Sequence, residues 1–215
     1  FSAGSVRFIQ NENELSGIKL ANGDEVVVAS RNAGVAGRDP WVLVISTDAA
    51  HTYAIDLRMK LHGNDPSLAL AQASRSLVLP KITHPAEAVL ATETEEAPAL
   101  DALLARLSRC KLVGYDVKST LKVLLDLGLQ ELPVVSHDVL LASFVENSLR
   151  RNLSLSELGE DVGYDGSSFE ETSTEEFVER APQMVSLIRA LRAEQAENLE
   201  KTPDLSRVLH EIDLP

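Results

Sequence analysis

Three carboxylates in the chain stand where they could bind a divalent metal ion. Asp116 and Asp138 each follow a short apolar run, and Glu93 lies in an acidic stretch. Carboxylates that converge on two metal ions about 4 Å apart can activate water and stabilise a leaving oxygen. The three residues are far apart in the sequence, so such a site would form only if the fold brought them together.

The two aspartates also stand where helix N-caps are expected. Asp116 precedes a predicted helix that begins at residue 117, and Asp138 opens a second predicted helix. A side-chain oxygen at this position accepts hydrogen bonds from the free N–H groups of the first helical turn. We therefore expect capping rather than catalysis at both positions. The acidic stretch around Glu93 is expected to be a solvated loop.

Histidine, cysteine and glycine patterns offer no second kind of site. Four histidines have no His or Cys partner at the spacing of metal ligands, namely His51, His62, His84 and His210, and Cys110 is the single cysteine. An intrachain disulfide and a cysteine-based zinc site are therefore excluded. Neither a Walker-type phosphate loop nor a dinucleotide-binding glycine motif is present.

The charge balance argues against a freestanding nucleic-acid binder. The chain has 20 basic and 33 acidic side chains, for a net charge of −13, and affinity for nucleic acid comes largely from neutralising phosphates. Local contacts are predicted at Lys118, Arg150 and Arg151. No apolar run approaches the roughly 20 residues that span a bilayer, and no signal peptide opens the chain. We therefore expect a cytoplasmic protein without a membrane partner.

The elements that must position these side chains fall into two groups. Strand patterns dominate the first 57 residues, with β-type runs at 5–10, 25–30, 41–46 and 52–57. Three of these runs follow one another across short connections, which predicts an antiparallel meander, and the stretch from Arg31 to Pro40 is predicted to be a loop.

Residues 58–100 are harder to interpret. A helix that opens at Asp65 and a strand over 77–80 are predicted, before a helix whose leucines begin at Leu100.

From residue 111 the pattern alternates between strand and helix. Strands over 111–114 and 133–136 are each followed by a helix, over 117–127 and 138–147. Together with the meander, this predicts an α/β fold with one mixed sheet, antiparallel N-terminal strands and flanking helices.

The C-terminal part is predicted to be helical. It opens with a capping box of Ser173 and Glu176, kinks or restarts at Pro182, and continues as a last helix over 184–200.

Parts of this pattern resemble the 3′–5′ exonuclease (proofreading) domain of bacterial family A DNA polymerases, the DNA polymerase I class. The resemblance rests on Leu112-Val-Gly with the helix after it, on His137-Asp-Val-Leu-Leu-Ala-Ser-Phe, and on the tail Leu209-His-Glu-Ile-Asp-Leu-Pro. It implies a ribonuclease H-like (DnaQ-like exonuclease) fold. It also implies that residues 1–202 form the exonuclease-like domain and that 203–215 lead into a polymerase domain.

The same resemblance implies that the metal-binding acids are missing. The family's Asp-x-Glu motif aligns with Ala29-Ser30-Arg31, and Thr120 takes the place of the aspartate in the second motif. The family's Tyr-x-x-x-Asp aligns with Arg180 and Met184. We therefore expect no bound divalent metal and no catalytic residue at the five vacated positions, which are Ala29, Arg31, Thr120, Arg180 and Met184. Arg31 is expected to be an exposed loop residue and Met184 a core residue. A weaker match to the first motif at 91–95 also lacks its leading Asp.

Three functions remain open at this point. The first is a non-catalytic domain of a DNA replication and repair polymerase, which contacts the polymerase domain of its own parent chain and meets DNA only through that parent. The second is an active or weakly active nuclease that uses Asp116, Asp138 or Glu93. The third is a single-strand or partner-binding module that uses Arg150 and Arg151. The first is preferred because all three motifs lack their metal-binding acids.

Overall fold

A six-stranded sheet forms the centre of the protein. The computed structural model describes residues 4–33, 39–57, 99–170 and 172–209. The strands lie side by side in the order β1-β4-β3-β2-β5-β6. Their bounds are β1 Ser5–Ile9, β2 Glu25–Ala33, β3 Asp39–Ser46, β4 His51–Asp56, β5 Lys111–Gly114 and β6 Val134–Asp138.

The sheet is mixed, as the sequence predicts. β2, β3 and β4 form the antiparallel meander, in which Val28 pairs with Ile45 and Ile45 pairs with Tyr53. β5 and β6 continue the sheet in parallel with β2. The additional strand β1 lies at the far edge and pairs in parallel with β4, so that Ile9 pairs with Ile55.

Helices cover both faces of the sheet because successive strand residues point to opposite sides. Val26 and Val28 of β2 belong to an apolar cluster with leucines of the helices Ala99–Leu107 and Val117–Asp126, whereas Val27 and Ala29 belong to a cluster with the helix Thr174–Lys201. Within the described residues, two 3₁₀ helices span Glu12–Gly17 and Glu160–Val162. The α-helices are α1 Ala99–Leu107, α2 Val117–Asp126, α3 Val139–Glu146, α4 Leu155–Gly159, α5 Thr174–Lys201 and α6 Pro203–Val208.

The predicted loop between Arg31 and Pro40 is wrong at both ends. β2 continues to Ala33 and β3 begins at Asp39, with a register shift between Arg31 and Asn32. Pairing with β3 holds the chain extended in spite of its loop-like composition. β6 likewise runs on to Asp138, beyond the predicted end at residue 136.

The predicted restart of the helix at Pro182 is also wrong. α5 is one helix of 28 residues with Pro182 inside it. A proline in a helix interior costs about 3 kcal/mol because it removes a backbone hydrogen bond and crowds the preceding turn. α5 buries Ala181, Val185 and Ile188 on either side of and beyond the proline, and this packing against the sheet outweighs the local cost.

A close backbone approach explains the glycine that ends β5. A Cβ atom on Gly114 would lie 2.6 Å from the carbonyl oxygen of Val28 and 2.9 Å from a methyl carbon of Val117. No side chain fits there, so β5 can lie against β2 only with glycine at this position. The chain then turns into α2 through Asp116, which has a φ of 50°.

Several predicted features lie outside the described residues. These are the helix at 65, the strand at 77–80, the acidic stretch around Glu93 and the end of the C-terminal tail. Among the helices that the structure does describe, none is long and apolar enough to cross a membrane.

Candidate functional site

A cavity of about 270 Å³ opens where β2 and β5 end. The two strands run in parallel, so their carboxyl ends meet at one edge of the sheet. Tyr115 and Asp116, between β5 and α2, form one side of the cavity. Phe177 and Met184 of α5 form another. In open α/β sheets, ligands bind at this edge.

At five positions of this chain, the aligned motifs lack the acid or tyrosine that the family has there. Four of these five positions line the same cavity. Ala29 and Arg31 come from β2, Thr120 from α2 and Met184 from α5. These positions are far apart in sequence, and the fold brings them together. Arg180 is not among the residues that line the cavity, although it lies on the same helix as Met184.

Three of the four vacated positions that line the cavity carry neutral side chains. The hydroxyl oxygens of Ser30 and Thr120 are 3.2 Å apart and share a hydrogen bond. Thr120, Ala29 and Met184 are 2%, 7% and 3% exposed. Ala29 of the first motif, Thr120 of the second and Met184 of the third therefore bring a methyl group, a hydroxyl group and a thioether to the cavity, none of which carries charge.

Arg31 brings a positive charge to the cavity, and its predicted place in an exposed loop is wrong. It lies in β2 and is partly buried. One guanidinium nitrogen donates to the hydroxyl of Thr172 at 2.9 Å, and another donates to the Thr172 carbonyl oxygen. The guanidinium carbon is 5.4 Å from the centre of the Phe177 ring. Because β2 extends past the predicted strand end, the side chain reaches α5 instead of solvent.

Two carboxylates line the described part of the cavity. Asp116 caps α2, where its side chain accepts a hydrogen bond from the Ser119 N–H at 3.3 Å. Glu170 is exposed and precedes α5. Within the described residues, no three His, Cys, Asp or Glu side chains are grouped closely enough to hold a metal ion. Since a two-metal centre needs several converging carboxylates, these residues do not fit one.

Burial and nearby acidic side chains raise the pKa of Tyr115, which lines the cavity. Burial, followed by the negative charges of Glu170 and Asp116, raises the pKa of Tyr115 to about 12. Its hydroxyl therefore stays protonated at neutral pH and donates to the Leu153 carbonyl oxygen at 2.7 Å. Tyr115 is thus a fixed donor that ties the start of α2 to the segment before α4.

Asp138 is a cap, as the sequence predicts, and it serves two helices. It is 2% exposed and accepts hydrogen bonds from the N–H groups of Val117 at 2.8 Å, Leu140 at 2.9 Å and Leu141 at 3.4 Å. Burial raises the pKa of this carboxyl, and the backbone hydrogen bonds oppose the rise. Asp138 does not line the cavity, and both of its oxygens are occupied by backbone groups.

The predicted nucleic-acid contacts lie outside the cavity lining. Arg150 forms an ion pair with Asp161 and donates to the carbonyl oxygens of Asn152 at 3.1 Å and Glu157 at 3.0 Å. Its guanidinium is therefore engaged by Asn152 of the same loop, by Glu157 of α4 and by Asp161 of the 3₁₀ helix that follows α4. Arg151 and Lys118 are exposed.

Sequence reasoning missed the segment that precedes α5. Phe169 and Glu170 line the cavity, and Thr172 receives Arg31. Residues 165–172 consist of Gly, Ser, Thr and acidic residues around one aromatic side chain, Phe169, a composition typical of a plain loop. The isolated Phe169 is the one signal that marks it as anchored.

No family model and no curated protein sequence matches this chain. Solved structures do match it. Brucella melitensis NrnC bound to pGG is 17% identical with a TM-score of 0.57, over 95% of this chain and 86% of that chain. The EXO domain of Aedes aegypti Nibbler is 12% identical with a TM-score of 0.53, over 95% of both chains.

A polymerase chain shows the same likeness. The structure of the POL domain of Pol1 from M. smegmatis, in complex with DNA primer-template and dNTP, is 16% identical with a TM-score of 0.51. The match covers 93% of this chain and 28% of that chain. At these identities the likeness shows the fold, and the predicted ribonuclease H-like exonuclease fold is confirmed.

Proposed function

We propose that the chain is a non-catalytic, vestigial 3′–5′ exonuclease domain and a structural part of a DNA polymerase I that acts in replication and repair. The observation that carries the proposal is the convergence of Ala29, Arg31, Thr120 and Met184 on one cavity. These are the positions where the sequence resemblance expects metal-binding acids. Removal of one such ligand typically costs orders of magnitude in rate, and here all four are replaced.

The charge of the cavity supports the same conclusion. A two-metal reaction needs enough negative charge to hold two divalent cations close together. Two carboxylates, Asp116 and Glu170, face a guanidinium from Arg31, so the net charge of these three groups is −1. A fixed cation beside the site repels further cations. We therefore propose that the domain has no resident metal cofactor.

The proposed parent is a polymerase of the bacterial cytoplasm. Two features support it: the resemblance of the tail from Leu209 to the start of a polymerase portion, and the fold likeness to one part of the Pol1 chain. In this proposal the domain packs against the polymerase domain of its own chain and maintains its geometry. DNA is then contacted through the parent enzyme, in keeping with the net charge of −13.

A weak metal-dependent nuclease is the second candidate, because Asp116 and Glu170 lie on the same cavity. Asp138 supports it less, since both of its oxygens accept backbone hydrogen bonds. A single-strand or partner-binding module has the least support. Arg150 is already engaged by Asp161, which leaves Lys118 and Arg151 exposed.

A nuclease assay tests the absence of catalysis. The purified chain is incubated with a 5′-labelled single-stranded oligonucleotide and Mg²⁺ or Mn²⁺, with and without EDTA. We expect no cleavage above the EDTA control. Cleavage that EDTA abolishes, that co-elutes with the protein and that Asp116→Asn removes would establish the second candidate instead.

Reinstalled carboxylates test the assignment of the vacated positions. We expect Ala29→Asp combined with Thr120→Asp to gain Mn²⁺ binding, measured by loss of the free-ion electron paramagnetic resonance signal, and a melting temperature that rises with Mn²⁺. The matched control, Ala105→Asp with Thr202→Asp, adds the same charge at exposed positions. Equal Mn²⁺ binding by the two variants would show that Ala29 and Thr120 are not ligand positions.

A further inference from the structure

We propose that Arg31 and Arg180 hold one segment closed over the cavity, so that the cavity wall is assembled by guanidinium groups instead of metal ions. The segment comprises residues 164–170 together with Thr172 and is called the strap below. It contributes Phe169 and Glu170 to the cavity wall. The inference goes beyond the proposed function, because the contacts that support it do not depend on the parent protein.

Arg31 fastens the end of the strap to β2. Two of its nitrogens donate to the hydroxyl and the carbonyl oxygen of the same residue, Thr172. The Thr172 hydroxyl in turn donates to the Phe169 carbonyl oxygen at 3.1 Å. The guanidinium also lies over the Phe177 ring of α5. One side chain thus links the central strand, the strap and the first turn of α5.

Arg180 fastens the middle of the strap to α5. Its nitrogens donate to the carbonyl oxygens of Ser168 at 2.8 Å and Ser167 at 2.7 Å, and to the Tyr164 hydroxyl at 2.7 Å. The guanidinium carbon is 4.3 Å from the centre of the Phe169 ring, and that ring stacks on Tyr164 with centroids 5.5 Å apart.

The chemistry of the strap favours arginine at both positions. The strap has no regular secondary structure, so its carbonyl oxygens need donors from elsewhere. A guanidinium presents several donors in a rigid plane and stacks on aromatic rings, whereas a lysine ammonium does neither. Phe169 is 5% exposed. Its ring packs against the planar guanidinium of Arg180 and is the buried apolar side chain of the strap.

Both arginines occupy positions where the resemblance expects catalytic groups, and both bind the same segment. The metal ions that the fold family implies do not fit these residues. A cation fixed to the chain stands at Arg31 in their place. The strap should therefore stay closed without any divalent ion, and added Mg²⁺ or Mn²⁺ should not tighten it.

Hydrogen exchange, measured by mass spectrometry on the intact chain, tests the proposal. We expect the amides of residues 164–170 to exchange about tenfold faster in Arg31→Met and in Arg180→Met, because each change removes charge-assisted hydrogen bonds that hold the strap. Exchange in β2 and β5 should be unchanged. Arg192→Met is the matched control, since Arg192 pairs with Glu25 at 2.6 Å at the opposite end of β2.

Conservative variants keep the test decisive if a methionine variant does not fold. Arg31→Lys and Arg180→Lys retain the charge but not the planar fork, and we expect them to speed strap exchange as well. Strap exchange that is unchanged in these variants, or no faster than in Arg192→Met, would overturn the proposal. So would slower strap exchange of the unmodified chain in millimolar Mg²⁺. EDTA-sensitive cleavage would overturn the proposed function and leave the strap proposal standing.

Discussion

The cavity and the junction at Asp138 both lie beside the start of α2, yet their polar groups form different kinds of hydrogen bonds. At the junction, one buried carboxylate accepts hydrogen bonds from two helices. At the cavity, Ser30 and Thr120 bond to each other, and Arg31 bonds to the strap. The junction connects elements that the fold cannot do without. The described residues that line the cavity include no group of three metal-ligating side chains.

A second buried network extends the junction to α5. The Gln195 side-chain oxygen lies 2.8 Å from a ring nitrogen of His137, and its amide nitrogen donates to Ser143 at 2.7 Å and to the Val139 carbonyl oxygen at 3.1 Å. Since the Gln195 oxygen is an acceptor, that histidine nitrogen carries the proton. β6, α3 and α5 are therefore joined by fully buried hydrogen bonds, in contrast to the open cavity.

Removal of the junction carboxylate should have the largest effect. Asp138→Ala leaves three N–H groups without their acceptor, and we expect a loss of about 3 kcal/mol in the free energy of unfolding. Urea denaturation measures it. Asp126→Ala, at an exposed position in the last turn of α2, should change stability by less than about 0.5 kcal/mol. Equal losses in the free energy of unfolding would show that the Asp138 carboxylate stabilises the fold no more than an exposed aspartate does.

Disruption of the buried network should have the next largest effect. Gln195→Met keeps a similar volume but leaves His137 and Ser143 without that partner, and we expect a loss of about 2 kcal/mol. The control is Gln130→Met at an exposed site. If the two methionine variants unfold at the same urea concentration, the network does not stabilise the fold.

Simplification of the cavity should have the smallest effect. Ser30→Ala combined with Thr120→Val removes both partners of one hydrogen bond, and we expect stability within about 0.5 kcal/mol of the unmodified chain. Ser30→Ala alone should cost more, about 1 kcal/mol, because it leaves the buried Thr120 hydroxyl unpaired. A double-mutant cycle separates these terms. A double variant as unstable as Asp138→Ala would show that the cavity also supports the fold.

Local pattern predicts most of the fold. The meander, the two strands after residue 110 and their helices follow from periodicity and turn residues, which act over short distances. The parallel partner of β1 does not follow, because strand pairing between distant segments is set by tertiary packing. The same reason explains Pro182: its local penalty is real, but burial of α5 against the sheet decides the outcome.

The candidate site, like the fold, is only partly predictable from the sequence. Alignment to the family predicts Ala29, Thr120 and Met184 as members of one set, and the structure places them on one cavity. Arg31 was misplaced because the extension of β2 past residue 30 is invisible to local pattern. The strap is not predicted from the sequence because the side chains that hold it come from other elements: Arg31 from the distant strand β2 and Arg180 from α5.

The order of strands in the sheet has a consequence for how the chain folds as it is synthesised. β2 and β3 can pair soon after they emerge, but the other edge of β2 must wait for β5, since Val27 pairs with Val113. At roughly 5–20 residues per second, that edge of the central strand stays open for several seconds. During this interval a ready-made strand template is exposed, and the nascent chain is at its most vulnerable to pairing with the wrong partner.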